Sequence, residues 1–259
     1  MEEEKEIRII LGIDISTACL GVSLAKYDGA NIEILQISHV KPKITKKIKG
    51  TEALFLKAKQ FKEEFIEKYK DFGLTDIVIE EPLPSSQNNN TVTTLLRFNG
   101  MISQSIYEAT GIVPKYISSY DARKYAFPEL MAIRKFNKKG EQYDEKKIKR
   151  ALKNNELVLF GNYPWDCQKK NIVWNKISEQ FPNIHWEYNK KGDLKTENFD
   201  ASDSLVCVLG YVNKEKYSDD IPKITEYKQE NIKLDNNSIN RFKYNVKFCD
   251  RNFEKIIDL

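Results

Sequence analysis

The sequence predicts an α/β fold: a mixed five-stranded sheet flanked by helices. Three strand patterns open the chain, two amphipathic helical patterns follow, and a short apolar strand pattern comes after each helix. Three strands, a helix, a strand, a helix and a strand are the order expected of a mixed sheet with helices on its faces.

The predicted strands differ in pattern. Residues 8–14 are apolar almost throughout, as expected of a central strand covered by helices on both faces. Residues 20–26 alternate Leu, Val and Leu with small residues, and residues 32–37 continue after the turn "YDGAN". The tight turns predict an antiparallel opening, to which residues 76–80 and 113–118 add two strands.

Two helices are predicted because apolar residues recur every three or four positions on one face. In the first helix, 51–69, these residues are Leu54, Ala58, Phe61, Phe65 and Tyr69. In the second, 92–110, they are Leu95, Phe98, Ile102, Ile106 and Ala109. Gly111 ends the second helix.

The chain is less regular after Tyr120. We interpret residues 1–212 as one domain with a basic insertion at about 128–165, in which a short helix begins near Asp144. Helices near 168–180 and 200–212 follow the insertion. Residues 213–259 are polar and Asn-rich, and form a C-terminal extension to which the sequence assigns no role.

The composition excludes several classes of protein. At 259 residues and 41% hydrophobic, the chain is long enough for one sizeable core. Its apolar runs are shorter than the roughly 20 residues that a membrane helix needs, and the start "MEEEKEIR" does not resemble a secretion signal. Four scattered cysteines indicate neither a zinc site nor a disulfide scaffold. We therefore expect a cytoplasmic protein with no membrane partner, and the Lys- and Asn-rich composition favours a bacterial or phage-infected cell.

Positive charge is concentrated in two segments. Residues 41–49 hold five lysines and no acid, and residues 129–170 hold eleven Lys or Arg against six Asp or Glu. Such segments suit a polyanion, because each neutralised phosphate releases counterions, although solvated loops have the same composition. The candidate DNA-binding residues of the two segments are Lys46, Lys47, Lys49, Lys138, Lys139, Lys146, Lys147 and Arg150.

Four carboxylates are placed where they could meet. Asp14 ends the first apolar strand and Glu80 ends the strand "DIVIE", while Asp200 and Asp203 lie three residues apart on the first turn of a helix. If the strands are neighbours and the helix covers their ends, the four groups share one volume. Carboxylate oxygens suit Mg²⁺, and two such ions about 4 Å apart support phosphodiester hydrolysis.

Each acid also has a purely structural explanation. Asp200 and Asp203 suit the start of a helix, where free N–H groups need acceptors. Glu80 and Glu81 suit a solvated strand end. A carboxylate such as Asp14, which closes an apolar central strand, usually points into a cleft. The order and spacing of all four favour a metal site.

These motifs resemble the RuvC-like Holliday junction resolvases, nucleases of the RNase H-like superfamily. The resemblance lies in "GIDIST" at 12–17, "IVIEEP" at 77–82 and "DASDSL" at 200–205. "VPKYISSYDARKY" and "QKKNIVWNKI" look like the strand and helix between them. The resemblance spans about residues 9–212 and implies an RNase H-like fold and a Mg²⁺-dependent endonuclease that cuts branched DNA at four-way junctions.

The resemblance also implies roles for individual residues. Asp14, Glu80, Asp200 and Asp203 would be catalytic and hold two Mg²⁺ ions, for which Mn²⁺ can substitute. Glu81 would point away, since adjacent strand residues face opposite sides. The turn residues Ser16 and Thr17 would touch the scissile phosphate. The enzyme would be a homodimer, because two symmetric cuts resolve a junction, with the helix 92–110 as its dimer surface.

Other functions stay open. The segment "LGIDISTACLGVSL" also looks like the first phosphate loop of actin-like ATPases and sugar kinases, but the chain has only 11 glycines and no D-x-G-G-G loop. A non-catalytic nucleic-acid-binding module could share the fold, although the presence of all four acids speaks against it. The acids do not specify the substrate, so RNA or another branched nucleic acid remains an alternative.

Overall fold

The computed structural model describes residues 7–82, 89–131, 143–159, 169–234 and 237–259. The chain divides into two compact units. The first unit comprises Met1–Ala122 and Gln168–Val212, and the second comprises Arg123–Cys167 and Asn213–Leu259.

Eight strands lie along the described chain. They are β1 (Arg8–Ile15), β2 (Leu20–Tyr27), β3 (Ile32–Val40), β4 (Asp76–Glu81), β5 (Lys115–Ser118), β6 (Lys223–Leu234), β7 (Asn237–Phe248) and β8 (Arg251–Asp258).

Helices lie between these strands. They are α1 (Gly50–Phe61), α2 (Glu67–Tyr69), α3 (Asn89–Thr110), α4 (Ser119–Ala126), α5 (Glu145–Lys153), α6 (Lys169–Gln180) and α7 (Glu197–Tyr217). A π-helical turn, Lys62–Ile66, joins α1 to α2. Within the described ranges, no helix is both long and apolar enough to cross a membrane.

The first unit is built on a mixed five-stranded sheet in the order β3-β2-β1-β4-β5. β2 is antiparallel to both β1 and β3, whereas β1, β4 and β5 are parallel to one another. This confirms the predicted α/β fold, a mixed five-stranded sheet flanked by helices. The predicted helix 51–69 is present, with all five of its predicted core residues buried.

The two faces of the sheet are covered by different helices. One face contributes Leu11, Ile13, Ile77 and Ile79 to a core shared with α1 and α3. Since successive strand residues point to opposite sides, the intervening residues of β1 and β4, including Asp14 and Glu80, lie on the other face.

Helix α7 covers that other face at very close range. A Cβ atom added to Gly21 of β2 would lie 1.9 Å from the backbone oxygen of Asp200, and one added to Gly12 of β1 would lie 2.3 Å from that of Ser204. Real Cβ contacts are never this short, so both glycines are required for the helix to lie where it does. Neither position can hold a side chain, because the backbone of α7 occupies the space that the side chain would need.

The far end of α7 is fixed by a polar cluster. Tyr211 donates a hydrogen bond to the buried Asp76 at 2.9 Å, and the same carboxylate accepts from Arg8 at 2.9 Å and Lys115 at 3.1 Å. Burial alone would raise the pKa of Asp76, but these hydrogen bonds, together with one from Thr75, hold it well below its usual range. The cluster attaches α7 to the first residues of β1, β4 and β5.

The second unit contains a three-stranded antiparallel sheet in the order β6-β7-β8. Phe242, Tyr244 and Val246 of β7 form a core with Ile148 and Leu152 of α5. The basic insertion and the C-terminal extension therefore share one core. Sequence analysis predicted no strand after residue 212, because β6 is exposed and polar at most positions and hides its alternation.

A buried lysine joins β8 to residues 128–131. Lys255 donates hydrogen bonds to the main-chain oxygens of Pro128, Glu129 and Met131. Burial lowers the pKa of this ammonium group to about 8. Three carbonyl dipoles replace the water that the charge would otherwise bind.

Candidate metal centre

The strands bring Asp14 and Glu80 side by side. Ile13 of β1 pairs with Ile79 of β4 in parallel register, so the next residues along the two strands are neighbours about 5 Å apart. Glu80 is half-buried, whereas Glu81 is exposed and points to the opposite face. The structure therefore groups Glu80, and not Glu81, with Asp14.

Helix α7 brings the other two acids to the same place. Asp14 pairs across the sheet with Gly21, and Gly21 lies directly under the backbone of Asp200. Asp203 follows one turn later on α7 and is only 6% exposed. Residues three apart on a helix share a face, so both carboxylates lie on the side of α7 that covers the sheet.

The pKa of Asp14 reflects how close the four acids are. Burial raises the pKa of Asp14 well above its usual range, and the charges of Glu80, Asp203 and Asp200 raise it further, in that order. The charge of Lys170 acts in the opposite direction. The four predicted acids therefore form one electrostatic cluster.

Lys170, at the start of α6, is a cation in this cluster. Its Nζ lies 3.1 Å from Oδ1 of Asp200. Its partial burial lowers the pKa of this ammonium group, but the charges of Asp200, Asp203 and Asp14 outweigh burial and raise it. Sequence analysis did not single out Lys170, because a lysine in "CQKKNIV" shows nothing of its distance from the acids.

The donor chemistry fits hard divalent cations. In the described part of the chain, no three His, Cys, Asp or Glu side chains are already arranged as ligands of one metal ion, and the Asp200 carboxylate is instead paired with Lys170. Four carboxylates against one lysine nevertheless leave a large excess of negative charge in a partly buried place. Divalent cations with oxygen ligands relieve such an excess, and Mg²⁺ and Mn²⁺ have this preference.

The turn between β1 and β2 lies beside the acids. The Ser16 hydroxyl donates to the Cys19 carbonyl at 2.8 Å and accepts from the Cys19 N–H at 3.0 Å, so it closes the turn. The Thr17 carbonyl accepts a hydrogen bond from Lys57 of α1. Burial, with the charge of Asp200, raises the pKa of the Cys19 thiol to about 12. A contact of Ser16 or Thr17 with phosphate stays a prediction.

The predicted DNA-binding lysines of the first unit lie on the loop between β3 and α1. Lys46, Lys47 and Lys49 are exposed. The start of the loop is attached to the site, because Lys41 pairs with Glu197 in the first turn of α7.

The predicted basic residues of the second unit lie partly on α5. Lys146, Lys147 and Arg150 are exposed there, on the side opposite the buried Ile148 and Leu152. Lys138 and Lys139 lie outside the described residues.

Comparisons with known proteins give structural similarity only. No protein-family model matches the chain, and no curated protein matches its sequence. Among solved structures, it is similar to Thermus thermophilus RuvC in complex with a Holliday junction substrate, with 10% identity, a TM-score of 0.45, and coverage of 81% of this chain and 95% of RuvC.

Two further solved structures are also similar to the chain. One is the human cytomegalovirus terminase nuclease domain, with 11% identity, a TM-score of 0.32 and coverage of 80% of each chain. The other is the Ppx/GppA family member of Aquifex aeolicus, with 13% identity, a TM-score of 0.34, and coverage of 81% of this chain and 90% of that one. Similarity at this level does not identify an activity, and the function proposed below depends on the residues of the site.

Proposed function

We propose that this protein is a Mg²⁺-dependent endonuclease that cuts branched DNA, with the four-way junction as its substrate. One observation carries the proposal: three segments that are distant in the sequence bring Glu80, Asp200 and Asp203 close enough to Asp14 for their charges to raise its pKa, at the carboxyl ends of β1 and β4. A fold without a use for cations would be more stable with neutral groups there.

Different residues of the chain would have different roles in such a reaction. Asp14 and Glu80, on neighbouring strands, and Asp200 and Asp203, on α7, would hold the ions. Bound Mg²⁺ would activate a water molecule for attack on the phosphodiester and stabilise the leaving oxygen. Lys170 holds the Asp200 carboxylate while that group is not a metal ligand.

Substrate class is tested with purified protein and four labelled substrates: a four-way junction, a duplex, a single strand and an RNA:DNA hybrid. We expect preferential cutting of the junction in Mg²⁺ and in Mn²⁺, and none in EDTA. Preferential cutting of the hybrid would instead identify an enzyme that acts on RNA. A protein that cuts none of the four in either metal would contradict the proposal.

The loop lysines give a prediction about affinity. Replacing Lys46, Lys47 and Lys49 by alanine should weaken junction binding and reduce the slope of log K against log salt by about 0.9 for each phosphate that the variant no longer neutralises. Fluorescence anisotropy in EDTA at several salt concentrations measures both quantities. The triple arginine variant keeps the charge and should bind the junction as the wild type does. If the alanine variant also has the affinity and salt slope of the wild type, the loop is solvated and does not contact DNA.

Helix α3 offers a surface for the proposed homodimer. Leu96 and Tyr107 are each 48% exposed, and they lie on one face of the helix with Ser103 and Gly100. A Cβ atom on Gly100 would contact nothing within 4 Å, so the backbone is open to the close approach of a second helix.

A double change tests this surface. Replacing Leu96 and Tyr107 by glutamate should convert a dimer to a monomer in sedimentation velocity, because four like charges would then face one another across the twofold axis. The variant should still cut one strand of a junction, but it should no longer make the two symmetric cuts. A wild-type protein that sediments as a monomer with intact junctions present would exclude this dimer.

A further inference from the structure

A short hairpin-like turn, Glu187–Lys195, immediately precedes α7. Tyr188 and Leu194 form an isolated antiparallel bridge, and the Lys195 N–H donates to the Glu187 carbonyl at 3.0 Å. At the tip, the Asn189 side chain accepts from the N–H groups of Lys191 at 2.8 Å and Asp193 at 3.0 Å. The turn therefore has a defined shape.

The base of this turn is attached to the helix that carries the acids. Asn198, which is 4% exposed, donates from Nδ2 to the Glu187 carbonyl at 2.7 Å and accepts from the Glu187 N–H at 3.1 Å. Asn198 lies two residues before Asp200 on α7. The two hydrogen bonds thus fix the turn relative to the candidate metal centre.

The turn presents two cations at its tip and an aromatic ring at its bridge. Lys190 and Lys191 are exposed, and neither makes an ion pair with any described residue. Tyr188 is 54% exposed. Lys195, by contrast, pairs with Glu187 at 2.6 Å, and this hydrogen bond lowers the pKa of Glu187. Positive charge is neutralised at the base of the turn. At its tip, the two lysines exceed the one exposed carboxylate, Asp193, whose Oδ2 accepts a hydrogen bond from Nδ2 of Asn189 at 3.0 Å.

We propose that this turn binds the DNA backbone beside the cleavage site, with Lys190 and Lys191 on phosphates and Tyr188 against a sugar or an unpaired base. The proposal rests on the proposed nuclease function and adds a contact outside its four acids. Exposed lysines next to an accessible aromatic ring are the combination that nucleic-acid surfaces use.

The reach of the turn fits this role. Three extended residues from Glu187 to Lys190 span about 10 Å, and Asn198 lies about half a helical turn from Asp200. The tip is therefore within roughly 15–20 Å of the acids, which is about five nucleotides along one strand. A DNA strand with one phosphate at the acids is long enough to span this distance.

The test compares the double variant Lys190→Ala/Lys191→Ala with the wild type. Anisotropy with a labelled four-way junction in EDTA measures affinity at several salt concentrations, and single-turnover cleavage in Mg²⁺ is followed at saturating protein. We expect weaker binding, a salt slope lower by about 1.8, and a cleavage rate at saturation within about threefold of the wild type. Tyr188→Ala should also weaken binding, with little change in slope.

Three controls separate this contact from other causes. Lys190→Arg/Lys191→Arg and Tyr188→Phe keep the charge and the ring, and should bind as the wild type does. Lys59→Ala/Lys68→Ala removes two exposed lysines of α1 and α2, and should change affinity less than the turn variant. If the turn variant and wild type have the same affinity and slope, the turn does not contact DNA. A wild type that neither binds nor cuts DNA overturns the proposed function, and this contact with it.

Discussion

Asn in place of Asp14, Asp200 or Asp203, or Gln in place of Glu80, is expected to lower junction cleavage by at least about a hundredfold. Each change removes one oxygen charge from the group that would hold the ions, and the remaining three acids then bind cations less tightly. Single-turnover cleavage in Mg²⁺ measures the loss, and junction binding in EDTA should be largely unchanged.

The thermal stability of the Asp14→Asn variant should not fall with its activity. Because burial and the other three acids raise the pKa of Asp14, its charged form is disfavoured in the folded protein, and Asp14→Asn removes that penalty. Thermal melting without metal should therefore show an unchanged or higher midpoint. Glu81→Gln is the matched control, because Glu81 points to the other face. If that control is inactive while Glu80→Gln is active, the assignment of the two glutamates is reversed.

Gly21→Ala is expected to damage both stability and activity. Its new Cβ would lie 1.9 Å from the Asp200 oxygen and 2.7 Å from the Ala201 nitrogen, so α7 must move away from the sheet. Overpacking of this kind costs about 1–3 kcal/mol, and more where only backbone can yield. The acids of α7 would move with the helix, so cleavage should fall as well. Urea unfolding measures the first effect and single-turnover cleavage the second.

Gly100→Ala is the control for the stability measurement alone, because Gly100 lies on the proposed dimer surface. It adds the same methyl group to a helical position where nothing lies within 4 Å, so it should stabilise the fold by about 0.5–1 kcal/mol through helix propensity. If Gly21→Ala has the same free energy of unfolding and the same cleavage rate as the wild type, α7 does not lie against β2 at this distance.

Local patterns were sufficient to predict the sheet and its helices. The period of Leu54, Ala58 and Phe61 predicted the buried face of α1, because an amphipathic helix needs no distant partner to reveal its apolar side. The acids were found because Asp14 and Glu80 each end an apolar strand. Their grouping with Asp200 and Asp203 is now a geometric observation, whereas their catalytic role remains a prediction.

Features that depend on distant pairing were not predicted. The strands β6–β8 bury one face under α5, which lies far away in the sequence, and β6 itself shows almost no apolar alternation. Gly21 looks like any small residue until the backbone of α7 is placed over it. The segment "TENFD" likewise gives no sign of the role of Asn198. Only its two hydrogen bonds to Glu187 show that it attaches the turn 187–195 to α7.

The order in which the chain is made has a consequence for the proposed nuclease. All five strands of the first unit, with Asp14 and Glu80, lie before the segment Arg123–Cys167 that begins the second unit. Asp200 and Asp203 leave the ribosome only after that segment, and α7 must then close a long loop against the repulsion of like charges. A nascent chain can form its sheet with half of its acids in place, but it gains a complete centre only when α7 docks. Incomplete chains would therefore have no means of cutting DNA.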